Sequence, residues 1–223
     1  MSLTHEQARS LLGDDCIGPA DVEAALGSEP DSAPPVPYSE AELQAAKKEG
    51  DLLIFRTATA GGARLTIAAL TERFPQCFES GLLKGAGYAL KNEWGILLEP
   101  IADLDTCTTG WALVSTDVLP PTLNLSFDEQ EEMLGKHLAE SGLGDVGVRR
   151  RTVVEAVYDT VIVFAARKRR LLEKTWDWTS SRTEDGGWLQ VGGFGTKGMQ
   201  IVSYSRGTRH GALGTCLTRQ PAA

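Results

Sequence analysis

Thr175-Trp-Asp-Trp-Thr-Ser-Ser-Arg182, read on to Leu213-Gly-Thr-Cys-Leu-Thr-Arg219, decides the fold class of this chain. Four strand-length pieces lie here: Thr175–Ser180, Trp188–Gly192, Met199–Tyr204 and Leu213–Thr218. Asp185-Gly-Gly187, Gly195-Thr-Lys-Gly198 and His210-Gly211 separate them, and glycine-bearing turns between β-rich runs predict hairpins, the clearest around 195–198. Immediately upstream, Thr152-Val-Val-Glu155 has the spacing of a helix N-terminal capping box. Val154, Val157, Tyr158, Val161, Ile162 and Ala165 follow at helical intervals and predict a core-facing stripe over 152–166. The run is rich in β-branched residues, so its stability must come from packing rather than propensity. Arg167-Lys-Arg-Arg170 closes it with cations that complement the helix dipole. A long amphipathic helix laid on short antiparallel strands makes an α+β protein.

Towards the N-terminus, Thr4-His-Glu-Gln7 is a second capping box and opens a helix to about Leu12. Gly13–Gly18 breaks it, and Pro19 leads a further helix, Ala20–Leu26, stopped by Gly27. This pair echoes a helix-turn-helix, but the second helix carries two acids and no base, which is wrong for a phosphate-lined groove. Residues 28–37 (SEPDSAPPVP) read as a mobile proline-rich connector. Ser39-Glu-Ala-Glu42 caps a helix to Glu49, and Leu52–Phe55 reads as a buried strand. Residues 1–49 are therefore expected as an acidic helical arm, and 50–223 as the main domain. Further on, Arg64–Phe74 reads as a helix, Trp94–Leu98 and Trp111–Ser115 as strands, and Ser126-Phe-Asp-Glu129 as the cap of a helix to about Glu140. Gly81–Tyr88 contains Gly85-x-Gly87 but neither a Walker lysine nor the third glycine of a dinucleotide loop.

The chain has 223 residues and a net charge of −8, which disfavours nucleic acid as a partner of the whole molecule. The charge is uneven. Residues 1–50 hold three bases against ten acids, whereas 149–182 hold nine bases against four acids. Arg149-Arg-Arg151 and Arg167–Arg170 read as solvated helix ends, as partners of the acidic arm, or as an anion-binding surface. No apolar run approaches the ~20 residues of a membrane span. The N-terminus has no basic region followed by an apolar one, which predicts no secretory signal and a cytoplasmic setting, or a virion-associated one if the chain is phage-derived. Cys16, Cys77, Cys107 and Cys216 are widely spaced, as are His5, His137 and His210, so neither a metal nor a cofactor is expected.

The helix, the Trp176-x-Trp178-Thr-Ser-Ser segment, the hairpin, Arg206 and the closing Leu213-Gly-x-Cys216-x-x-Arg219 together resemble the C-terminal half of C-type lectin-like folds. They are most similar to the branch of sulfatase-modifying (formylglycine-generating) domains and bacterial lectin-like modules. The resemblance covers about residues 150–220 and implies a C-type lectin-like scaffold. It departs from the family where chemistry resides. Formylglycine-generating enzymes hold copper with two cysteines, and only Cys216 stands near such a position. Ile201–Arg206 offers serines where the second would be, and one thiolate does not make the paired soft site copper(I) prefers. The histidine cluster of the related iron enzymes, the calcium-binding triplets and the paired disulfides of animal lectins are missing from the sequence.

Trp176 and Trp178 lie two apart and face one side of a strand. They either pack on the long helix or form an aromatic binding surface with Trp188. Arg206, Arg209 and His210 stand in the polar loop Ser205–Gly211, and Arg182 opens the loop 180–187; both loops are candidate ligand contacts. A Cys216 nucleophile would need a base within ~3 Å, with His210 the nearest in sequence. Asp103 and Asp105 show no acid–base pairing. The reading that follows is a non-enzymatic binding or structural module of bacterial or phage type. Its partner would be a protein or a small molecule, with homo-oligomerisation left open. The alternatives are a degenerate sulfatase-modifying-type enzyme and an anion- or nucleic-acid-associated factor that uses the arginine clusters.

Overall fold

A computed structural model describes residues 3–78, 95–141 and 147–221. Its helices are α1 (His5–Leu12), α2 (Pro19–Leu26), α3 (Glu40–Glu49), α4 (Ile67–Arg73), α5 (Ile101–Leu104), α6 (Phe127–Ser141) and α7 (Val153–Arg167). Its strands are β1 (Cys16–Ile17), β2 (Leu52–Arg56), β3 (Thr59–Ala60), β4 (Ala63–Arg64), β5 (Gly110–Val114), β6 (Val148–Arg150), β7 (Trp176–Arg182), β8 (Trp188–Gly195), β9 (Gly198–Tyr204), β10 (Leu213–Gly214) and β11 (Leu217–Arg219). The α+β class follows directly. Two sheets dominate, one in the order β1-β2-β5-β11-β6 and one in the order β10-β7-β8-β9. The glycine-rich stretch 81–88 and Trp94 lie outside the described residues. Ile96–Leu98, expected as part of a strand, is a 3-10 turn.

Helix α7 is the centre of the molecule. Thr152 caps it as expected, accepting from the Glu155 amide while the Glu155 carboxylate accepts from the Thr152 amide. Burial is wider than one stripe, because every side chain from Val153 to Val163 is buried. The cause is that α7 touches both sheets, meeting β7 and β8 of one and β2 of the other, with α2 and α4 also against it. A helix enclosed in this way cannot keep a polar face in water. Its polar residues Glu155 and Asp159 must therefore find partners inside.

Those partners are arginines. Arg56 at the end of β2 is fully buried and grips Asp159 with both arms of its guanidinium, at 2.9 and 2.7 Å, and Glu155 at 2.9 Å. Arg151, also fully buried, reaches Asp159 at 3.3 Å and Asp177 of β7 at 2.8 Å. Arg149 closes the chain on Glu155 at 2.6 Å. Three arginines thus face three carboxylates, and the network links β2, α7 and β7. Burial alone would raise the Glu155 carboxyl, but the Arg56 charge and the Arg149 hydrogen bond hold it down at about 2. Asp177 is pushed up by burial and pulled back by Arg151 and by the Cys216 amide, which donates to it at 2.8 Å. The expected solvated or ligand-seeking triplet at 149–151 is corrected accordingly: Arg150 and Arg151 are structural and turned inward. The second cluster does meet the acidic N-terminal segment, since Arg167 binds Asp21 at 2.9 Å and Arg169 binds Asp15 at 2.5 Å.

The N-terminal region is not a separate arm. Strand β1 pairs in parallel with β2, Cys16 opposite Leu53 and Ile17 opposite Ile54. Ala8, Leu12, Cys16, Ile17, Val22 and Leu26 belong to the same core as α7 and β5. The expected boundary at 49/50 does not coincide with a break in that core. The proline-rich 28–37 segment is also tied down. Leu3 and Val36 exchange backbone hydrogen bonds at 3.1 and 3.0 Å, and the Trp111 indole donates to the Pro34 carbonyl at 2.7 Å. Asp31 accepts from the hydroxyls of Thr57, Thr59 and Thr109. Prolines lack an amide to satisfy, so a proline-rich strap can lie against a core if its carbonyls and flanking side chains are matched.

Burying one Leu, Ile or Val side chain contributes roughly 1.5–3 kcal/mol. Leu12, Ile17, Val22 and Leu26 together contribute roughly 6–12 kcal/mol, comparable to the whole net stability of a domain. A chain beginning at residue 28 is therefore expected to be unfolded by circular dichroism and proton NMR. A truncated chain that melts cooperatively near the full-length temperature would restore the separate-arm plan.

Candidate functional site

Strand alternation sorts β7 into two faces. Asp177 points to the arginine network, so Trp176 and Trp178 point the other way. Trp176 touches the main core as well as the second, aromatic cluster. Trp178 is fully buried in a separate cluster with Phe127 of α6, Trp188 and Leu213. Its ring meets Phe127 edge-on at 5.5 Å, and Phe127 stacks on Trp188 at 3.8 Å. Arginines cover this cluster. Arg182 lies 4.0 Å above Trp188, and Arg150 lies 4.3 Å from Phe127. Arg150 also binds the Gln130 side chain at 3.0 Å and the Trp178 carbonyl at 2.9 Å. Of the seven candidate ligand contacts, Trp178, Trp188 and Arg182 therefore stand in or over a packed aromatic cluster. Arg206 caps the same cluster and pairs with Asp128.

The remaining three candidates come together. Trp176, Arg209 and His210 line a cavity of about 320 Å³ with Gln190, Gln200, Val202, Tyr204, Thr208 and Leu213. Register explains the grouping. Trp176 pairs with Gly192 and Trp178 with Gln190 across β7–β8. Gly192 pairs with Gln200, Gln190 with Val202 and Trp188 with Tyr204 across β8–β9. All these residues share the face turned away from α7. Sequence reasoning missed the β8–β9 contribution. A signal was present, because Gln190 sits between apolar residues two positions after Trp188, a polar residue on the tryptophan face of a strand.

The loop from 205 to 212 forms the rim, and backbone bonds pin it at both ends. The Phe127 amide donates to the Arg206 carbonyl at 3.0 Å, and the Trp176 amide donates to the Ala212 carbonyl at 2.8 Å. The His210 ring stands perpendicular to Trp176 at 6.1 Å. Its Nδ1 accepts from the Ala212 amide at 3.2 Å, so Nε2 carries the proton in the neutral ring. Arg209 is exposed and paired with Glu129 at 2.6 Å. Gln190 is fully buried, and its side-chain oxygen has no hydrogen-bond partner among the described residues. The same holds for the Trp178 indole nitrogen, Gln190's cross-strand neighbour. An unmatched buried polar group costs about 1–3 kcal/mol, so such groups concentrate where a ligand or water can satisfy them.

The thiols stand apart from this site. Burial pushes Cys16 and Cys77 up to about 11 and Cys107 and Cys216 well above the ordinary thiol range. A protonated buried thiol is a poor nucleophile. Cys216 lies in the link between β10 and β11 rather than on a strand, because Leu213–Thr218 is divided between the two sheets. Among the described residues no group of three or more His, Cys, Asp or Glu is placed to hold a metal ion, and no helix is long and apolar enough to cross a membrane. Comparison with protein-family models, curated proteins and solved structures finds no match for this chain.

Trp176 is held in place by a glycine. Gly193 has φ +59°, and a Cβ there would lie 2.6 Å from the indole. Gly193→Ala is expected to cost more than about 1 kcal/mol in urea unfolding, because alanine is strained at that φ. It should also shift the tryptophan emission by moving Trp176. An emission spectrum that is unchanged, and a shift that persists when Trp176 is replaced by Phe, would each contradict this packing.

Proposed function

We propose that this protein is a non-enzymatic binding module, and that its ligand site is the cavity on the outer face of the four-stranded sheet. The observation that carries the reading is Gln190, a fully buried side chain with an unmatched oxygen that lines a cavity walled by Trp176 and Tyr204. A concave, mostly apolar site with a few placed polar groups is the general form of a small-molecule site, and about 320 Å³ falls at the lower end of the ~300–1,000 Å³ such sites occupy. The raised thiols favour binding over thiol-based nucleophilic chemistry. The binding reading is favoured over the anion-associated one because Arg149, Arg150 and Arg151 each pair with a carboxylate of the same chain, as do Arg167 and Arg169 of the second cluster. The scaffold is read as C-type lectin-like, of bacterial or phage style. What supports this is the long helix laid on the β7–β9 strands and the closing strands that return to the sheets. A cytoplasmic or virion-associated setting belongs to the same reading.

A ligand-observed NMR screen of small aromatic and heterocyclic fragments tests the site. Binders are expected, and Trp176→Ala should weaken them at least tenfold while leaving the unfolding midpoint within a few degrees. A screen without binders, or binders indifferent to Trp176→Ala and Tyr204→Ala, would sink the proposal.

A further inference from the structure

The polarity of the cavity runs in one direction. At the buried end stands an unmatched acceptor, the Gln190 oxygen. Its amide nitrogen donates to the Trp188 carbonyl at 3.4 Å, and no group among the described residues donates to its oxygen. The middle is apolar and flat-sided: Trp176, Val202, Tyr204 and Leu213. The rim carries donors, the Arg209 guanidinium and the His210 Nε2–H that the Ala212 contact leaves available. A carboxylate does stand near, but it is Glu129 outside the lining, paired with Arg209. A ligand that matches these three layers has an N–H or O–H donor at one end, a flat ring in the middle and an acceptor or negative charge at the other. A cation would meet Arg209 at the rim, and a bare hydrocarbon would leave the Gln190 oxygen unmatched.

From this order of groups we infer that the cavity takes a small aromatic or heteroaromatic carboxylate that carries a ring hydroxyl or ring N–H opposite its carboxylate. The inference rests on the cavity's being the ligand site. Gln190 accepts the ring donor, Trp176 and Tyr204 hold the ring faces, and Arg209 and His210 meet the carboxylate. Glu129 competes for Arg209 from outside, so it weakens anion binding and makes it salt-dependent. Selection between hydroxylated and plain rings comes from Gln190, the fully buried polar residue of the lining. A site that hydrogen-bonds a ligand donor rejects the analogue lacking it far more strongly than an apolar pocket rejects one extra group.

Titration calorimetry with 4-hydroxybenzoate, benzoate, 4-methoxybenzoate and the neutral 4-hydroxybenzamide tests this. The hydroxybenzoate is expected to bind at least tenfold more tightly than benzoate or the methyl ether, and several-fold more tightly than the amide. Gln190→Leu replaces the unmatched group with an apolar one of similar size, so it should fold with an unchanged or higher melting temperature. It should bind hydroxybenzoate and benzoate equally. Glu129→Gln should tighten the carboxylates and leave the amide unaffected. Equal binding of the hydroxylated and plain rings by the native protein, discrimination that survives Gln190→Leu, or no binding of any of the four probes would each overturn the inference. In the last case, fragments from the wider screen that still depend on Trp176 would keep the binding-module reading and reject only this ligand class.

Discussion

Asp159 sits at the middle of α7 with no exposure to solvent, held by Arg56 from one side and Arg151 from the other. The rest of the molecule is arranged around that contact. A lone carboxylate at this position would be prohibitively costly, and two buried guanidinium groups without it would be worse. Each ion is tolerable only because the next one is present, so the positions of β2, α7 and β7 are fixed together. Buried ion pairs seldom add stability over an apolar core. Their effect here is on arrangement, because a one-residue slip of β7 would put Trp176 or Trp178 against Arg151 and expose Asp177.

The cavity follows from the same constraint. Asp177 must face inward, so its neighbours Trp176 and Trp178 must face outward. Outward-facing tryptophans need cover. Phe127 of α6 supplies it for Trp178 and Trp188, while Trp176 is partly buried at the edge of both clusters and faces His210 of the 205–212 loop. The part of the sheet face that α6 does not reach is the part that remains concave. Gln190 and the other β8–β9 contributors stand there by register and not by any local motif.

The local elements were legible because their signals are local. The capping boxes at Thr4, Ser39 and Thr152, the stop at Gly27 and the hairpin at 195–198 each appear where the residues indicate. What the sequence concealed is long-range. Arg56 and Asp159 are 103 positions apart, and nothing near either residue announces a partner. The arginine triplet at 149–151 therefore read as surface charge. The N-terminal segment read as an arm because its connector is rich in proline, a composition that reports the lack of amide donors and not the lack of contacts. Leu213–Thr218 read as one strand because periodicity cannot show that a chain changes sheets. Three of the seven candidate contacts, Trp176, Arg209 and His210, do line the cavity, since tryptophans and polar loops are informative singly. Gln190, Tyr204 and Val202 gain their meaning only from strand pairing.

The central claim is that the buried ions act as one unit that sets the facing of β7. A double-mutant cycle on Arg151→Met and Asp177→Asn, followed by equilibrium urea unfolding, measures this most directly. Each single change leaves an unmatched buried group and is expected to cost about 3–5 kcal/mol. The double change should cost less than the sum of the two by about 2 kcal/mol or more. Costs that add to within about 0.5 kcal/mol would mean that the two residues are independent, and the account built on their contact would be wrong.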